Sequence, residues 1–154
     1  MKLYYFDMYG RAEAMRMALH RYGVQFEDVR MTREQFGEMK ASGKLEYGQV
    51  PALELDDGTM LCQSAAIWRY IELKFSDDSQ DPMHAYQREN IACYFKDDFM
   101  GKYVMPMMKA ADADKAAHSM TLANEGMPAL YATISRKLGD RKWIVGDKFS
   151  TCDI

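Results

Sequence analysis

The stretch QVPALELDDGTMLCQS, residues 49–64, decides the fold of this chain. Residues 51–55 and 59–62 are two short runs suited to β-strands, and Asp57-Gly58 between them is a dipeptide typical of tight hairpin turns. A helical pattern follows over residues 64–75. The stretch therefore predicts an antiparallel hairpin that leads directly into a helix.

The residues before this hairpin alternate between strand and helix patterns. Residues 2–6 and 25–30 are suited to strands, with the helical spacing of residues 15–22 between them. Thr32 is a suitable N-cap for a short helix that runs to about Ala41. The predicted order is therefore β-α-β-α-β-β-α, with a parallel, right-handed βαβ unit before the antiparallel hairpin.

A polar and acidic stretch, SDDSQDPM, follows this region, and its composition is typical of a linker. Beyond it the sequence shows only helical periodicity. We therefore predict an α/β domain over residues 1–76, a linker over residues 77–83 and an all-α domain over residues 84–154.

Two long helices are predicted in the second domain. One covers about residues 83–109 and the other about residues 119–138, where Pro128 should kink the helix or mark a late start. Near the end of the sequence, Ser150 with Asp153 three residues later matches a variant capping box. This pair predicts the start of a further helix.

Composition argues against several classes of function. The chain has 154 residues, a net charge of -3 and no cluster of basic residues, so its charge gives no case for nucleic-acid binding. Its apolar runs are too short to span a bilayer, and residues 1–10 lack the apolar stretch of a signal peptide. Cys62, Cys93 and Cys152 form no zinc-binding pattern, which predicts no metal site and favours a reducing compartment, the cytoplasm.

Five motifs occur in order from one end of the chain to the other: LYYFDMYGRAE, GQVPALELDDG, QSAAIWRYI, DDFM and KWIVGDKFSTCD. Together they resemble the cytosolic glutathione transferases, most closely the sigma-like class that includes glutathione-dependent prostaglandin D synthases. The resemblance implies a thioredoxin-like glutathione-binding domain followed by a helical-bundle domain, and a homodimer. It also implies glutathione as co-substrate, its thiol being added to a small electrophile.

Other functions on the same fold stay open. Some sigma-like members isomerise a prostaglandin endoperoxide with glutathione as cofactor, and other relatives are structural or assembly subunits without catalysis. In the family, the capping signal at residues 150–153 opens a central helix with more chain after it. The resemblance therefore implies either a longer protein whose helical domain is only partly covered, or a chain that packs against partners in a larger assembly.

The resemblance assigns the catalytic roles to Tyr5 and Arg11. A free thiol has a pKa of about 8.5, so a phenol that donates a hydrogen bond to sulfur would favour the thiolate at neutral pH. The positive charge of Arg11 would favour it further. The alternative for Tyr5 is an ordinary tyrosine in a strand, and the alternative for Arg11 is a surface arginine. Tyr4 should face the opposite side of the strand from Tyr5.

The resemblance places the γ-glutamyl and cysteinyl parts of the ligand between the hairpin and the helix that follows it. Gln63 and Ser64 lie at the start of that helix, where backbone N–H groups favour a carboxylate, although Ser64 could simply cap the helix. A cis bond between Val50 and Pro51 would leave the Val50 backbone beside the ligand, and Gln49 is next to it. An ordinary trans proline is the alternative.

The resemblance gives the glycyl end of glutathione to Phe36 and Lys40. Many sigma-like members have a tryptophan where this chain has Phe36. The segment ASGKLEYGQ is about two residues longer than its counterpart in the family, so Lys44 could replace Lys40. In the family, an acid in the first long helix reaches across the dimer to the partner's ligand. Asp98 is the first candidate for this role and Asp97 the second. The alternative is that both are ordinary surface acids without a role in a dimer.

Overall fold

The computed structural model describes residues 1–76 and 81–154. The described residues form two compact units, residues 1–76 together with Ile154, and residues 81–153. The predicted linker, residues 77–83, lies partly outside the described residues, so the domain boundaries stay a prediction. Within the described ranges, no helix is both long enough and apolar enough to cross a membrane.

The first unit is built on a four-stranded mixed sheet. Its strands are β1 (Lys2–Phe6), β2 (Glu27–Met31), β3 (Ala52–Glu54) and β4 (Met60–Cys62). Their order across the sheet is β2-β1-β3-β4, with β1 and β2 parallel and the other two pairs antiparallel. The predicted parallel βαβ unit and antiparallel hairpin are confirmed. The strand β2 begins and ends later in the sequence than predicted, and β3 is shorter than predicted.

Three helices complete this unit: α1 (Gly10–Arg21), α2 (Arg33–Ala41) and α3 (Ser64–Phe75). The extents of α2 and α3 agree with the sequence pattern. Thr32 caps α2 as predicted: its Oγ1 accepts the Gln35 N–H at 3.2 Å, and Gln35 Oε1 accepts the Thr32 N–H at 2.9 Å. This reciprocal pair satisfies two backbone donors that the start of a helix otherwise leaves without partners.

The core of the first unit lies between the sheet and helices α1 and α3. Alternation along β1 directs Leu3 and Tyr5 into this core and Tyr4 to the opposite face. Each large apolar side chain buried in this way stabilises the fold by about 1.5–3 kcal/mol. The buried residues of this cluster are Leu3, Tyr5, Ala12, Met15, Ala18, Leu19, Leu53, Ile67 and Ile71.

The second unit is helical. Its first helical run consists of α4 (Pro82–Cys93), a π-helical stretch (Tyr94–Val104) and α5 (Met105–Lys109). Its second run consists of α6 (Asp112–Thr121), a shorter π-helical stretch (Leu122–Gly126) and α7 (Met127–Leu138). Both runs were predicted, but neither π-helical stretch was, since the apolar pattern was read with an α-helical period.

The second run begins at Asp112 and not near residue 119, so the predicted start was wrong. Residues 112–118 carry too few apolar side chains to show a periodic pattern, but alanine is the best helix former and acids in a first turn favour a helix start. Pro128 does not mark a late start. It lies inside a continuous helical run, directly after the π-helical stretch, where its missing N–H interrupts the α-helical hydrogen-bond ladder.

The predicted capping pair near the end of the sequence is half formed. The Ser150 N–H donates to Asp153 Oδ2 at 2.9 Å, as a capping box requires. The Ser150 hydroxyl also donates to this carboxylate, at 3.2 Å, while the Asp153 N–H bonds the Ser150 carbonyl oxygen. The turn that follows, Thr151–Asp153, is a 3₁₀ helix. Asp153 Oδ1 accepts the Ile144 N–H at 2.8 Å, so this carboxylate connects two segments of the unit.

Candidate active site

Tyr5 lies near the end of β1, and its side chain is almost fully buried, with 8% of the residue exposed. Its hydroxyl oxygen accepts the backbone N–H of Arg11 at 3.3 Å. A hydroxyl that accepts one hydrogen bond can still donate its own proton to a further acceptor, such as a sulfur anion. The hydroxyl also lies at the N-terminus of α1, where the helix dipole favours negative charge.

The neighbouring tyrosine is arranged in the opposite way. The Tyr4 hydroxyl donates its proton to Glu54 Oε2 at 2.6 Å. Burial, and then this bond to a carboxylate, raise the pKa of Tyr4 to about 12. Its proton is therefore already held by an acceptor within the chain. Of the two adjacent tyrosines, Tyr5 is the one suited to donate a hydrogen bond to a ligand.

Arg11 contributes to this arrangement through its backbone. Its N–H reaches the Tyr5 hydroxyl, whereas its side chain is exposed to solvent. Water strongly screens the charge of an exposed guanidinium. The contact between Arg11 and Tyr5 is thus made by the backbone and does not depend on the charged side chain of Arg11.

Arg16 is a residue that the sequence analysis missed. It is 4% exposed, and its Nε donates to Asp28 Oδ1 at 2.9 Å. Its Nη1 donates to Glu13 at 2.9 Å and to the Met8 carbonyl at 3.0 Å. These bonds hold the loop between β1 and α1. An arginine next to Met15, on the apolar face of a predicted helix, was the signal that could have identified it.

Asp28 extends this network to the far side of the same loop. Arg30 donates to Asp28 Oδ2 at 2.9 Å and to Asp7 Oδ1 at 2.8 Å. Burial alone would raise the pKa of the Asp28 carboxyl, but the hydrogen bonds from Arg16 and Arg30 outweigh it and hold the pKa below its ordinary value. Asp28 is therefore a charged anchor on which both arginines depend.

An open cleft of about 490 Å³ lies over this loop. Its lining residues are Asp7, Met8, Tyr9, Gly10 and Arg30. Met8 and Tyr9 are 51% and 75% exposed. The cleft thus combines two large exposed side chains, Met8 and Tyr9, with the Asp7–Arg30 ion pair. Gly10, which also lines it, lies against the Tyr5 hydroxyl.

The loop before β3 has the backbone conformation that the resemblance implied, since the Val50–Pro51 bond is cis. Val50 is half-buried against the core of the first unit. The adjacent Gln49 is exposed, and its Oε1 lies 3.5 Å from Gln63 Nε2, at the long limit of a hydrogen bond. Gln49 and Gln63, which are distant in sequence, are therefore brought together at one edge of the unit.

The N-terminus of α3 is open to a ligand. Gln63 is the N-cap residue and its side chain makes no capping bond, while Ser64 is the first helical residue. The alternative that Ser64 caps this helix is therefore wrong. Gln63 also has a φ of +68°, a left-handed conformation that costs a non-glycine residue about 1–3 kcal/mol and occurs most often at functional sites.

Phe36 and Lys40, both on α2, contact different parts of the unit. The Phe36 ring packs edge-on against Phe6, with ring centroids 5.3 Å apart. The Lys40 side chain is exposed and crosses Gly48, since a Cβ added to that glycine would lie 2.9 Å from Lys40 Cε. This places Lys40 beside the residue that precedes Gln49. Lys44 is exposed in the intervening loop.

Asp97 and Asp98 lie in the first π-helical stretch of the second unit, and both are exposed. The buried residue of this stretch is Phe99, which stacks on Phe95 with ring centroids 5.5 Å apart. Asp98 therefore does not lie on the buried face of this stretch. Asp97 lies 3.8 Å from Lys96 Nζ. The role of either acid across a dimer stays a prediction.

The chain is similar in sequence to known proteins. The family model described as "Glutathione S-transferase, N-terminal domain" matches residues 1–73. Glutathione S-transferase 1 of Ascaris suum is 44% identical over 96 residues, which are 62% of this chain and 45% of that protein. Hematopoietic prostaglandin D synthase of chicken (Gallus gallus) is 32% identical over 152 residues, which are 99% of this chain and 73% of that protein.

A solved structure shows the same likeness in three dimensions. The prostaglandin synthase D of Nilaparvata lugens superposes with a TM-score of 0.83 and 31% sequence identity. The match covers 99% of this chain and 75% of that one. The chain thus spans less than half of the Ascaris suum relative and about three quarters of the other two proteins.

Proposed function

Because the chain belongs to the glutathione S-transferase family, we propose that it binds glutathione on its first unit and activates the thiol through Tyr5. The observation that carries this proposal is the geometry of the Tyr5 hydroxyl, which accepts the Arg11 N–H and can donate its own proton. The proposed activity is a transferase that couples the glutathione sulfur to small electrophiles.

In the proposed mechanism, the thiol loses its proton to solvent and the Tyr5 hydroxyl donates a hydrogen bond to the resulting thiolate. A lowering of the thiol pKa by about two units corresponds to about 2.7 kcal/mol of thiolate stabilisation. The thiolate then forms a carbon–sulfur bond with the electrophile, whose leaving group departs with its electron pair. Met8 and Tyr9, on the open cleft, are the proposed contacts for the electrophile.

The remaining ligand contacts are proposed from the family resemblance together with the chemistry of the residues. The open N-terminus of α3, with Gln63 and Ser64, is the proposed site of the γ-glutamyl carboxylate. The Val50 backbone is proposed to pair with the cysteinyl part of the ligand, beside Pro51 and Gln49.

For the glycyl end we propose Lys40 beside Gly48, with Phe36 packing nearby. Lys44 is the substitute for Lys40 if the loop shifts. We further propose a cytoplasmic homodimer in which Asp98, or secondarily Asp97, approaches the partner's ligand. Both acids are exposed, as such a contact requires.

A second candidate function is the isomerisation of a prostaglandin endoperoxide with glutathione as cofactor. It is favoured by the 32% identity to a hematopoietic prostaglandin D synthase that extends over 99% of this chain. The same activated thiolate would serve this reaction, so Tyr5 has the same role in both candidates. The reactant that is turned over distinguishes them.

The proposal is tested by retention on glutathione resin together with conjugation of glutathione to a chlorodinitrobenzene. Tyr5→Phe should be retained but lose about 10²-fold in kcat/KM, because it removes one donor to a developing anion. Tyr4→Phe is the matched control and should keep its turnover, since its hydroxyl is held by Glu54. Retention of the wild type without turnover of this or an endoperoxide substrate would instead support a non-catalytic subunit.

A further inference from the structure

Gly10, the first residue of α1, lies against the hydroxyl end of Tyr5. A Cβ added to this glycine would lie 2.7 Å from Tyr5 Oη, 2.9 Å from Cε1 and 3.2 Å from Cζ. The first two distances are shorter than non-bonded carbon contacts allow. The Tyr5 ring cannot easily move away, because it belongs to the buried core of the first unit.

The backbone conformation of Gly10 also favours the close approach of the Tyr5 hydroxyl to the start of α1. Its φ of +46° lies in the left-handed region, which glycine adopts without steric cost. The turn places the next N–H, that of Arg11, within 3.3 Å of the Tyr5 oxygen. The missing side chain and the turn together let this hydroxyl sit at the start of α1, where it reaches both a backbone donor and the positive end of the helix.

We propose that Gly10 is a positioning residue for the Tyr5 hydroxyl, a role that rests on the proposed function of Tyr5 as donor to the glutathione sulfur. A side chain at position 10 would push the hydroxyl away from the Arg11 N–H and from the place where the sulfur binds. Gly10 therefore acts on the reaction only through Tyr5.

Gly23, just beyond the other end of the same helix, provides a matched control. It follows the C-terminus of α1 and has a φ of +69°, so alanine is strained there as it is at position 10. A Cβ at Gly23, however, would meet nothing within 4 Å. Gly23→Ala thus carries the backbone strain without the contact to Tyr5.

The first test compares the pH profiles of kcat/KM for glutathione conjugation in the wild type, Gly10→Ala and Gly23→Ala. Gly10→Ala should lose roughly 10- to 100-fold at neutral pH, and its acid limb should move to higher pH as the bound thiol loses its donor. Gly23→Ala should keep the wild-type profile. A wild-type profile in Gly10→Ala, or an equal shift in Gly23→Ala, would overturn the inference.

The second test needs no turnover, so it separates this inference from the proposed function. Urea unfolding of the wild type, Gly10→Ala, Tyr5→Phe and the double variant forms a double-mutant cycle. Gly10→Ala should destabilise the chain less when Tyr5→Phe has removed the hydroxyl oxygen, which is the closest contact. Phenylalanine keeps Cε1, 2.9 Å from the added Cβ, so the relief should be partial. If Gly10→Ala alone does not fold, the double variant should regain part of the native far-ultraviolet circular dichroism. Additive effects, or a double variant no better folded than Gly10→Ala, contradict the positioning role, whereas an inactive wild type contradicts only the proposed function.

Discussion

At the scale of single residues, the proposed chemistry depends on which group accepts the proton of each of two adjacent tyrosines. Tyr4 and Tyr5 have the same chemistry, yet Tyr4 donates to Glu54 and Tyr5 accepts from a backbone N–H. Strand alternation predicted that they face opposite sides of the sheet. It could not predict the two partners, because Glu54 and Arg11 reach them only through the folded arrangement of β3 and α1.

A prediction at this scale concerns Arg11. Arg11→Ala keeps the backbone N–H that bonds Tyr5 and removes only an exposed charge. The pKa of the bound thiol should therefore rise by less than about one unit, since exposed charges interact by about 1 kcal/mol or less. Measured at rising salt, the difference between Arg11→Ala and the wild type should shrink. A loss as large as that of Tyr5→Phe, unaffected by salt, would mean that the side chain contacts the sulfur directly.

At the scale of elements, local patterns predicted most of the first unit. The turn at Asp57-Gly58, the cap at Thr32 and the extent of α3 all follow from short-range chemistry. The two π-helical stretches were missed because their apolar residues fit an α-helical period as well, and the early start of α6 was missed because residues 112–118 show no periodic apolar pattern. Within the site, Arg16 was missed because its partners come from another strand and a loop.

The start of α3 gives a prediction in which stability and binding change in opposite directions. Gln63→Gly relieves a strain of about 1–3 kcal/mol at a glycine entropy cost of about 0.5–1 kcal/mol, so the free energy of unfolding should rise. Glutathione affinity, measured by calorimetry, should fall because the amide is lost. The control Gln63→Ala should lose affinity without gaining stability. A Gln63→Gly variant with unchanged affinity would remove Gln63 from the proposed site.

The loop between β1 and α1 gives a prediction for acid. Because the folded-state pKa of Asp28 is lowered, its stabilising contribution is complete above the ordinary pKa and is lost as the pH falls through the folded-state value. In urea titrations below about pH 4, Asp28→Asn should therefore lose less stability than the wild type. Asp7→Asn, at the exposed end of the same network, is the control and should behave more like the wild type. Identical acid profiles for Asp28→Asn and the wild type would contradict the anchor role.

At the scale of the whole molecule, the chain has a sheet-based unit that carries the proposed glutathione contacts and a helical unit that carries the acid proposed for the dimer. The order of the five motifs was enough to predict this class of fold and family. The assembly could not be predicted in the same way, because the contacts of exposed acids such as Asp98 depend on a second copy.

A prediction at this scale links affinity to assembly. Gel filtration should show a dimer, and Asp98→Asn should weaken glutathione binding by up to about fivefold, as expected for one exposed ionic contact. The effect should disappear on dilution to the monomer, where no partner is present. Asp97→Asn is the matched neighbour and should have a smaller effect. Equal affinities for Asp98→Asn and wild-type dimers would exclude the proposed contact.

Titration of the thiol of bound glutathione by its ultraviolet absorbance measures whether the Tyr5 hydroxyl stabilises the thiolate. In the wild type the pKa of the bound thiol should lie about two units below the free value of about 8.5. In Tyr5→Phe it should return close to the free value, because the donor at the end of β1 is gone. The same lowered pKa in both proteins would contradict the account.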